Sequence, residues 1–128
     1  MMQERKYVLT IAGFDPSGGA GLTADIKTFE QHKVYGLSVC TAITLQTENK
    51  FYSIQWQPVD DVLSAVDNMF KNYPVKFIKT GIVPSFDYLN KIISHLHKNY
   101  PGIKIITDPV LKSSTKFDFQ TEINKKII

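Results

Sequence analysis

Ile11-Ala12-Gly13-Phe14-Asp15-Pro16-Ser17-Gly18-Gly19-Ala20-Gly21 is the stretch whose reading decides the fold. Ahead of it, Tyr7-Val8-Leu9-Thr10-Ile11-Ala12 is short, β-branched and mostly apolar, which predicts a buried strand. Behind it, Leu22, Ile26 and Phe29 recur at helical spacing, so an amphipathic helix is expected from Leu22 to about Lys33. The segment between is a strand-to-helix turn holding four glycines, an Asp-Pro and a Ser. Glycines let a ligand approach the backbone closely, and amides at a helix start attract anions and polar atoms. It is not a Walker A loop, because no Lys-Ser/Thr follows the last glycine. Nor does the spacing from Gly13 to Gly18 suit G-x-G-x-x-G. The bland alternative is a tight turn that is glycine-rich for steric reasons alone.

Working outward, Val34-Tyr35-Gly36 is expected to turn the chain back into a strand over residues 38–45. That strand has little polar alternation beyond Ser and Thr, which suits a strand covered on both faces. Gln46-Thr47-Glu48-Asn49-Lys50 is a polar break. Residues 51–57 then alternate as an exposed strand or flap would, with core packing the default partner for their aromatic side. Pro58 opens a helix with Val62, Val66, Met69 and Phe70 in one stripe. Residues 75–80 form the next strand, ending at Gly81. Ser85 is the expected N-cap of a helix that turns Leu89, Ile92, Ile93 and Leu96 inward. His95 and His97 fall on different faces of that helix and read as surface residues, and His32 has no evident partner. Residues 103–107 make a last strand ending in Asp108-Pro109-Val110. A polar loop over 112–116 and a helical pattern with Ile123 and Ile127 follow.

Alternating strands and helices predict an α/β fold, a mostly parallel sheet with right-handed crossovers. Such sheets bind ligands beyond the carboxyl ends of their strands. Gly13, Gln46, Gly81 and Asp108 each end a predicted strand, so all four should open on one sheet edge. Asp25 is expected in the first helical turn and toward the helix's apolar face. There it is either a structural carboxylate favoured by the helix dipole or an acceptor for a ligand hydroxyl or amine. An inward carboxylate must have a partner, since burying it unpaired is costly.

The bulk numbers agree with a single domain over residues 1–128, of ordinary soluble composition. The formal charge of +3 is small and the lysines are scattered, which gives nucleic-acid binding no support. Cys40 is the only cysteine, so no internal disulfide forms and a reducing compartment fits; its apolar setting points to a buried, inert thiol. No apolar h-region follows the charged N-terminus and no run spans a bilayer, so a cytoplasmic protein with no membrane association is expected.

The segment Thr10-Ile11-Ala12-Gly13-x-Asp15-Pro16-Ser17-Gly18-Gly19-Ala20-Gly21-x-x-Ala24-Asp25-x-Lys27-Thr28-Phe29 closely resembles the N-terminal signature of hydroxymethylpyrimidine/phosphomethylpyrimidine kinase, a thiamine-biosynthesis family of the ribokinase-like superfamily. The pieces around Val34-Tyr35-Gly36, Gln46, Ile78-Lys79-x-Gly81 and Asp108-Pro109-Val110 agree. The resemblance implies a ribokinase-like, three-layer α/β/α fold. It also implies phosphorylation of 4-amino-5-hydroxymethyl-2-methylpyrimidine and its monophosphate with ATP and Mg²⁺.

By position, Gln46 resembles the side chain that hydrogen-bonds the pyrimidine, and Asp25 the carboxylate at the substrate's polar groups beside the Gly13 backbone. Ile82 and Val110 match positions that pack the ring, and Asp108 the environment of Mg²⁺ and phosphate. Phe14 stands where many members have Ser or Thr, and Thr47-Glu48-Asn49 replaces the usual Asn-Thr. The resemblance also suggests a homodimer. Family members are about twice as long, as befits a whole α/β domain. Their second half carries a Gly-Thr-Gly anion hole, the catalytic Cys or Asp, and most of the ATP site; here no glycine follows Gly102. The chain is therefore expected to be the pyrimidine-binding N-terminal half, truncated at its C-terminus and without catalysis of its own. The last strand should then leave an edge for the remainder to cover. The alternatives are a non-catalytic pyrimidine-binding module, or an inactive fragment, and a pyridoxal kinase.

Overall fold

The structure, a computed structural model, describes residues 4–108. Val110, the loop over 112–116 and the helical pattern with Ile123 and Ile127 lie outside the described residues. The elements run β1 (Tyr7–Phe14), α1 (Gly21–Gln31), β2 (Tyr35–Gln46), β3 (Phe51–Trp56), α2 (Val59–Asn72), β4 (Val75–Thr80), α3 (Phe86–Asn99) and β5 (Lys104–Thr107). They build one sheet of order β3-β2-β1-β4-β5, in which β1, β2, β4 and β5 are parallel and β3 is an antiparallel edge. The expected α/β class and parallel sheet are found.

Period-two alternation along β1 divides the two faces. Leu9 and Ile11 point into the core with Leu37, Val39, Ile78, and Val62, Val66, Tyr88, Ile92 and Leu96 of α2 and α3. Thr10 points the other way, toward α1. That helix has no fully buried residue and rests Ile26 and Phe29 on Gly36, where a Cβ would come within 2.8 Å of each. One helix on one face and two on the other give the three layers.

Several local expectations change. The chain turns at His32–Lys33, not at Val34–Gly36. Lys33 takes a left-handed φ of 58°, while its amide and that of Val34 bond the carbonyls of Glu30 and Phe29, which satisfies the last turn of α1. Tyr35 and Gly36 are already paired with β1.

Strand β2 is not covered on both faces among the described residues: Ile43 is 48% exposed and Leu45 60%. The aromatic side of β3 stays out of the core, with Tyr52 exposed and Trp56 only half-buried, because β3 is an edge strand with no helix packed on it among the described elements. On α3, Ile93 stays out of the core cluster and Tyr88 enters it, its hydroxyl donating to the Gln57 carbonyl at 2.7 Å. Ser85 does cap α3, accepting from the Tyr88 amide. His95 is no mere surface residue. Its Nε2 lies 2.7 Å from Asp67 Oδ1 on α2, and the Tyr100 hydroxyl donates to the same oxygen. Cys40 is half-buried, its Sγ 3.1 Å from the Ala42 carbonyl.

Candidate functional site

The strand order places β2 and β4 on opposite sides of β1, and the crossover helices that lead into them, α1 and α2, on opposite faces. This is the reversal at which open parallel sheets form a crevice at their carboxyl edge. Gly13, Gln46, Gly81 and Asp108 all lie at that edge, at or just past the ends of β1, β2, β4 and β5.

The glycine-rich turn is held by its own polar groups. Asp15 is buried and its Oδ1 accepts from the Ser17 amide at 2.8 Å and the Ser17 hydroxyl at 2.7 Å, while the Gly18 amide bonds the Asp15 carbonyl. This Asx-type closure leaves Ser17 and Gly19 exposed at the tip. Gly21 then opens α1 at φ 66°, so close to β1 that a Cβ there would lie 2.1 Å from the Gly13 carbonyl oxygen. Phe14 and Gly21 form a bridge at the same point.

On the α2–α3 face, Ile82 packs where a side chain at position 13 would stand, its Cδ1 2.8 Å from an ideal Cβ. The Thr41 hydroxyl fixes that segment by donating to the Ile82 carbonyl at 2.9 Å. Gln46 reaches this face through a bulge. The β1–β2 register slips by one between Ala12 and Gly13, so that Ala42, Thr44 and Gln46 take over the inward face that Leu37 and Val39 held earlier. Gln46 Nε2 donates to Thr44 Oγ1 at 2.8 Å, and the Thr44 hydroxyl donates to the Phe14 carbonyl at 2.8 Å. The Thr44 proton is committed to Phe14, so its oxygen must accept, and that fixes which way the Gln46 amide points.

On the α1 face stands a second group. Asp25 is in the second turn of α1 rather than the first, because the helix begins at Gly21. The dipole explanation for this carboxylate loses force accordingly, since that effect is confined to the first turn. Asp25 is 14% exposed and accepts from the Thr10 hydroxyl at 2.6 Å; Lys79 Nζ of β4 lies 2.8 Å from both of its oxygens. Lys79 is 23% exposed and also 3.7 Å from Asp108 Oδ2, whose side chain is half exposed. Thr80, next in β4, is fully buried and its hydroxyl has no partner among the described residues.

The expected site residues thus fall into two groups at one edge. Gly13, Ile82 and Gln46 are joined by packing and a hydrogen-bond chain; Asp25 and Asp108 are joined through Lys79. The groups approach the edge from opposite faces of the sheet, and the link between them is the contact of Gly21 with Gly13. Val110 lies outside the described residues. Lys79, Thr44 and Asp15 are the participants that sequence reasoning missed. Lys79 carried only a partial signal: β4 holds two lysines, Lys76 and Lys79, and the one that faces a packed helix needs a carboxylate, but the sequence does not mark which one that is. No helix among the described residues is long and apolar enough to cross a membrane.

Comparison with known proteins adds the following. A family model described as phosphomethylpyrimidine kinase matches residues 15–127. A hydroxymethylpyrimidine/phosphomethylpyrimidine kinase of Saccharomyces cerevisiae is 38% identical over 110 residues, covering 84% of this chain and 20% of that protein. Among solved structures, the phosphomethylpyrimidine kinase of Clostridium difficile superposes with a TM-score of 0.78 at 34% identity, over 89% of this chain and 49% of that one. The Staphylococcus aureus pyridoxal kinase in complex with AMP-PCP and pyridoxal gives 0.72 at 29% identity, over 84% and 40%. The chain spans half or less of the length of each of these proteins.

Proposed function

The chain belongs to the phosphomethylpyrimidine kinase family, and from that premise we propose that it carries the pyrimidine-binding part of an ATP-dependent hydroxymethylpyrimidine/phosphomethylpyrimidine kinase. One observation carries the proposal: at the ends of β1 and β2 a fixed amide stands beside an apolar wall. Gln46 spends one N–H on Thr44, which leaves Oε1 to accept and a second N–H to donate. An acceptor and donor side by side complement the exocyclic amine and adjacent ring nitrogen of a 4-aminopyrimidine, the pairing by which Gln and Asn read adenine. Ile82 against Gly13 supplies the surface on which the ring rests, and the family resemblance gives Val110 a ring-packing role as well. The bare backbone at Gly13 lets the ring lie close. Asp25, with its Oδ1 bonded only by Lys79, keeps acceptor capacity for the substrate's polar groups.

ATP supplies the phosphoryl group when bound. Among the described residues no three His, Cys, Asp or Glu side chains group to hold a metal ion. Asp108, assigned by resemblance to the Mg²⁺ and phosphate environment, has the Lys79 ammonium as its neighbour. A cytoplasmic location and a homodimer go with the same reading.

The test is calorimetric titration of the protein with 4-amino-5-hydroxymethyl-2-methylpyrimidine. Gln46→Ala should weaken binding by about 1–3 kcal/mol, the scale of one bidentate amide–base pair, and in a full-length version should leave nucleotide affinity alone. Unchanged pyrimidine affinity refutes the role given to Gln46. Competition by pyridoxal at equal or better affinity favours the pyridoxal kinase alternative, and no binding by an aggregated chain favours an inactive fragment.

A further inference from the structure

We infer that Lys79 is a positioning residue of this site, holding the glycine-rich turn to the sheet through Asp25; the inference deepens the pyrimidine-site proposal and rests on it for its effect on affinity. A lysine and an aspartate that keep only 23% and 14% of their exposure lose much of their hydration, which a charged partner offsets. The pair is in place: Lys79 Nζ sits 2.8 Å from both Asp25 oxygens, and Thr10 donates to Oδ2 at 2.6 Å. The same ammonium is 3.7 Å from Asp108 Oδ2. One cation therefore stands between two carboxylates brought from different elements, α1 and the end of β5. Without it neither acid has another cation within 4 Å among the described residues.

The tie matters because of what it anchors. Beyond the Phe14–Gly21 bridge the turn over residues 13–21 runs straight into α1, and α1 buries no residue fully, so the packing of that helix holds it loosely. Gly21 against the Gly13 carbonyl fixes the backbone crossing, and Asp25 on Lys79 fixes the helix one turn further on. A binding turn held in its bound shape keeps affinity that a loose one would lose to ordering. Lys79 is then no ligand-contacting residue; it acts through the turn.

Two measurements on the whole chain decide this. In ligand-free protein, amide hydrogen exchange over residues 13–25 should speed up about tenfold or more in Lys79→Met, as a local opening becomes easier. Exchange in α2 and α3 should keep its wild-type rate. Lys79→Arg, which keeps the charge and can bind a carboxylate through two N–H groups, should restore slow exchange. In the titration, Lys79→Met should bind the pyrimidine about tenfold more weakly, the effect of losing a charged hydrogen bond, with Lys79→Arg close to wild type. Exchange over 13–25 that is unchanged in Lys79→Met, or that rises evenly along the chain, overturns the inference. If wild type binds no pyrimidine, the functional proposal fails while the exchange result still decides the role of Lys79. Should Lys79→Met fail to fold, Asp25→Asn breaks the same tie from α1 and must show the same local acceleration.

Discussion

Replacing Gly21 by alanine tests the close crossing on which the site's geometry depends. A Cβ at this position would stand 2.1 Å from the Gly13 carbonyl oxygen and 3.1 Å from its carbon, with φ at 66°. The left-handed backbone alone costs an L-residue about 1–2 kcal/mol. Relieving a backbone clash in a packed region adds about 1–3 kcal/mol, since no flexible side chain can yield. The unfolded chain loses entropy with alanine, which returns about 0.4–1 kcal/mol. The centres of these ranges leave a net loss of about 3 kcal/mol, a large fraction of a typical domain's 5–15 kcal/mol. At about 3–5 °C per kcal/mol for a chain of this size, Tm should fall by about 10–15 °C.

Gly102→Ala is the matched control: its φ is 89°, but a Cβ there meets nothing within 4 Å. Only the backbone strain remains, largely offset by the unfolded-state gain, so the loss should stay within about 1 kcal/mol. Thermal and urea unfolding of both variants provide the measurement. Equal losses for the two would refute the crossing of α1 over the end of β1, and with it the placement of the glycine-rich turn.

Two other expectations concern the far pole and the core. Burial pushes the Asp67 carboxyl up, but the Tyr100 and His95 hydrogen bonds and the His95 charge outweigh it, leaving Asp67 below its ordinary 3.8. Its contribution is thus full above pH 3.8 and disappears as pH falls through the lower folded value; Asp67→Asn should flatten the acid limb of a urea-midpoint profile. Burial first, then the Asp67 bond, push Tyr100 up to about 12, and burial, Cys40 and Asp61 do the same for Tyr88. Raised groups of this kind stabilise below pH 10 and lose their effect as pH rises toward 12, so Tyr100→Phe should lessen the alkaline loss and retain the part due to Tyr88. In the core, Ile92→Val should cost about 0.5–1.5 kcal/mol because Ile92 is fully buried. Ile106→Val, at a side chain 64% exposed, should change the free energy of urea unfolding by less than about 0.5 kcal/mol; similar costs for both would contradict the assigned faces.

Element types and the parallel order followed from local chemistry. The apolar run at 7–12, the glycines behind it and the stripes of α2 and α3 each fit one secondary structure, and helices between strands force parallel pairing. Gly13, Gln46, Gly81 and Asp108 could be assigned to one edge because each ends a strand of a sheet whose strands point the same way. Boundaries were less legible. The exit of α1 depends on Lys33 adopting a conformation that its sequence does not advertise.

What the chain's residues determined by themselves is a parallel α/β sheet with a glycine-rich turn and polar strand ends on one edge, because periodicity and backbone freedom are local properties. Which face each of those ends takes was decided only by packing. A one-residue bulge between Cys40 and Ala42 rotates Gln46 from the α1 face to the face of Ile82 and Gly13, and no spacing in the sequence marks it. The pairing of Asp25 with Lys79, 54 residues away, was likewise settled in three dimensions. A buried charge takes whatever counter-charge the fold brings within reach, and only the crossing of α1 over β4's neighbour fixes which one that is.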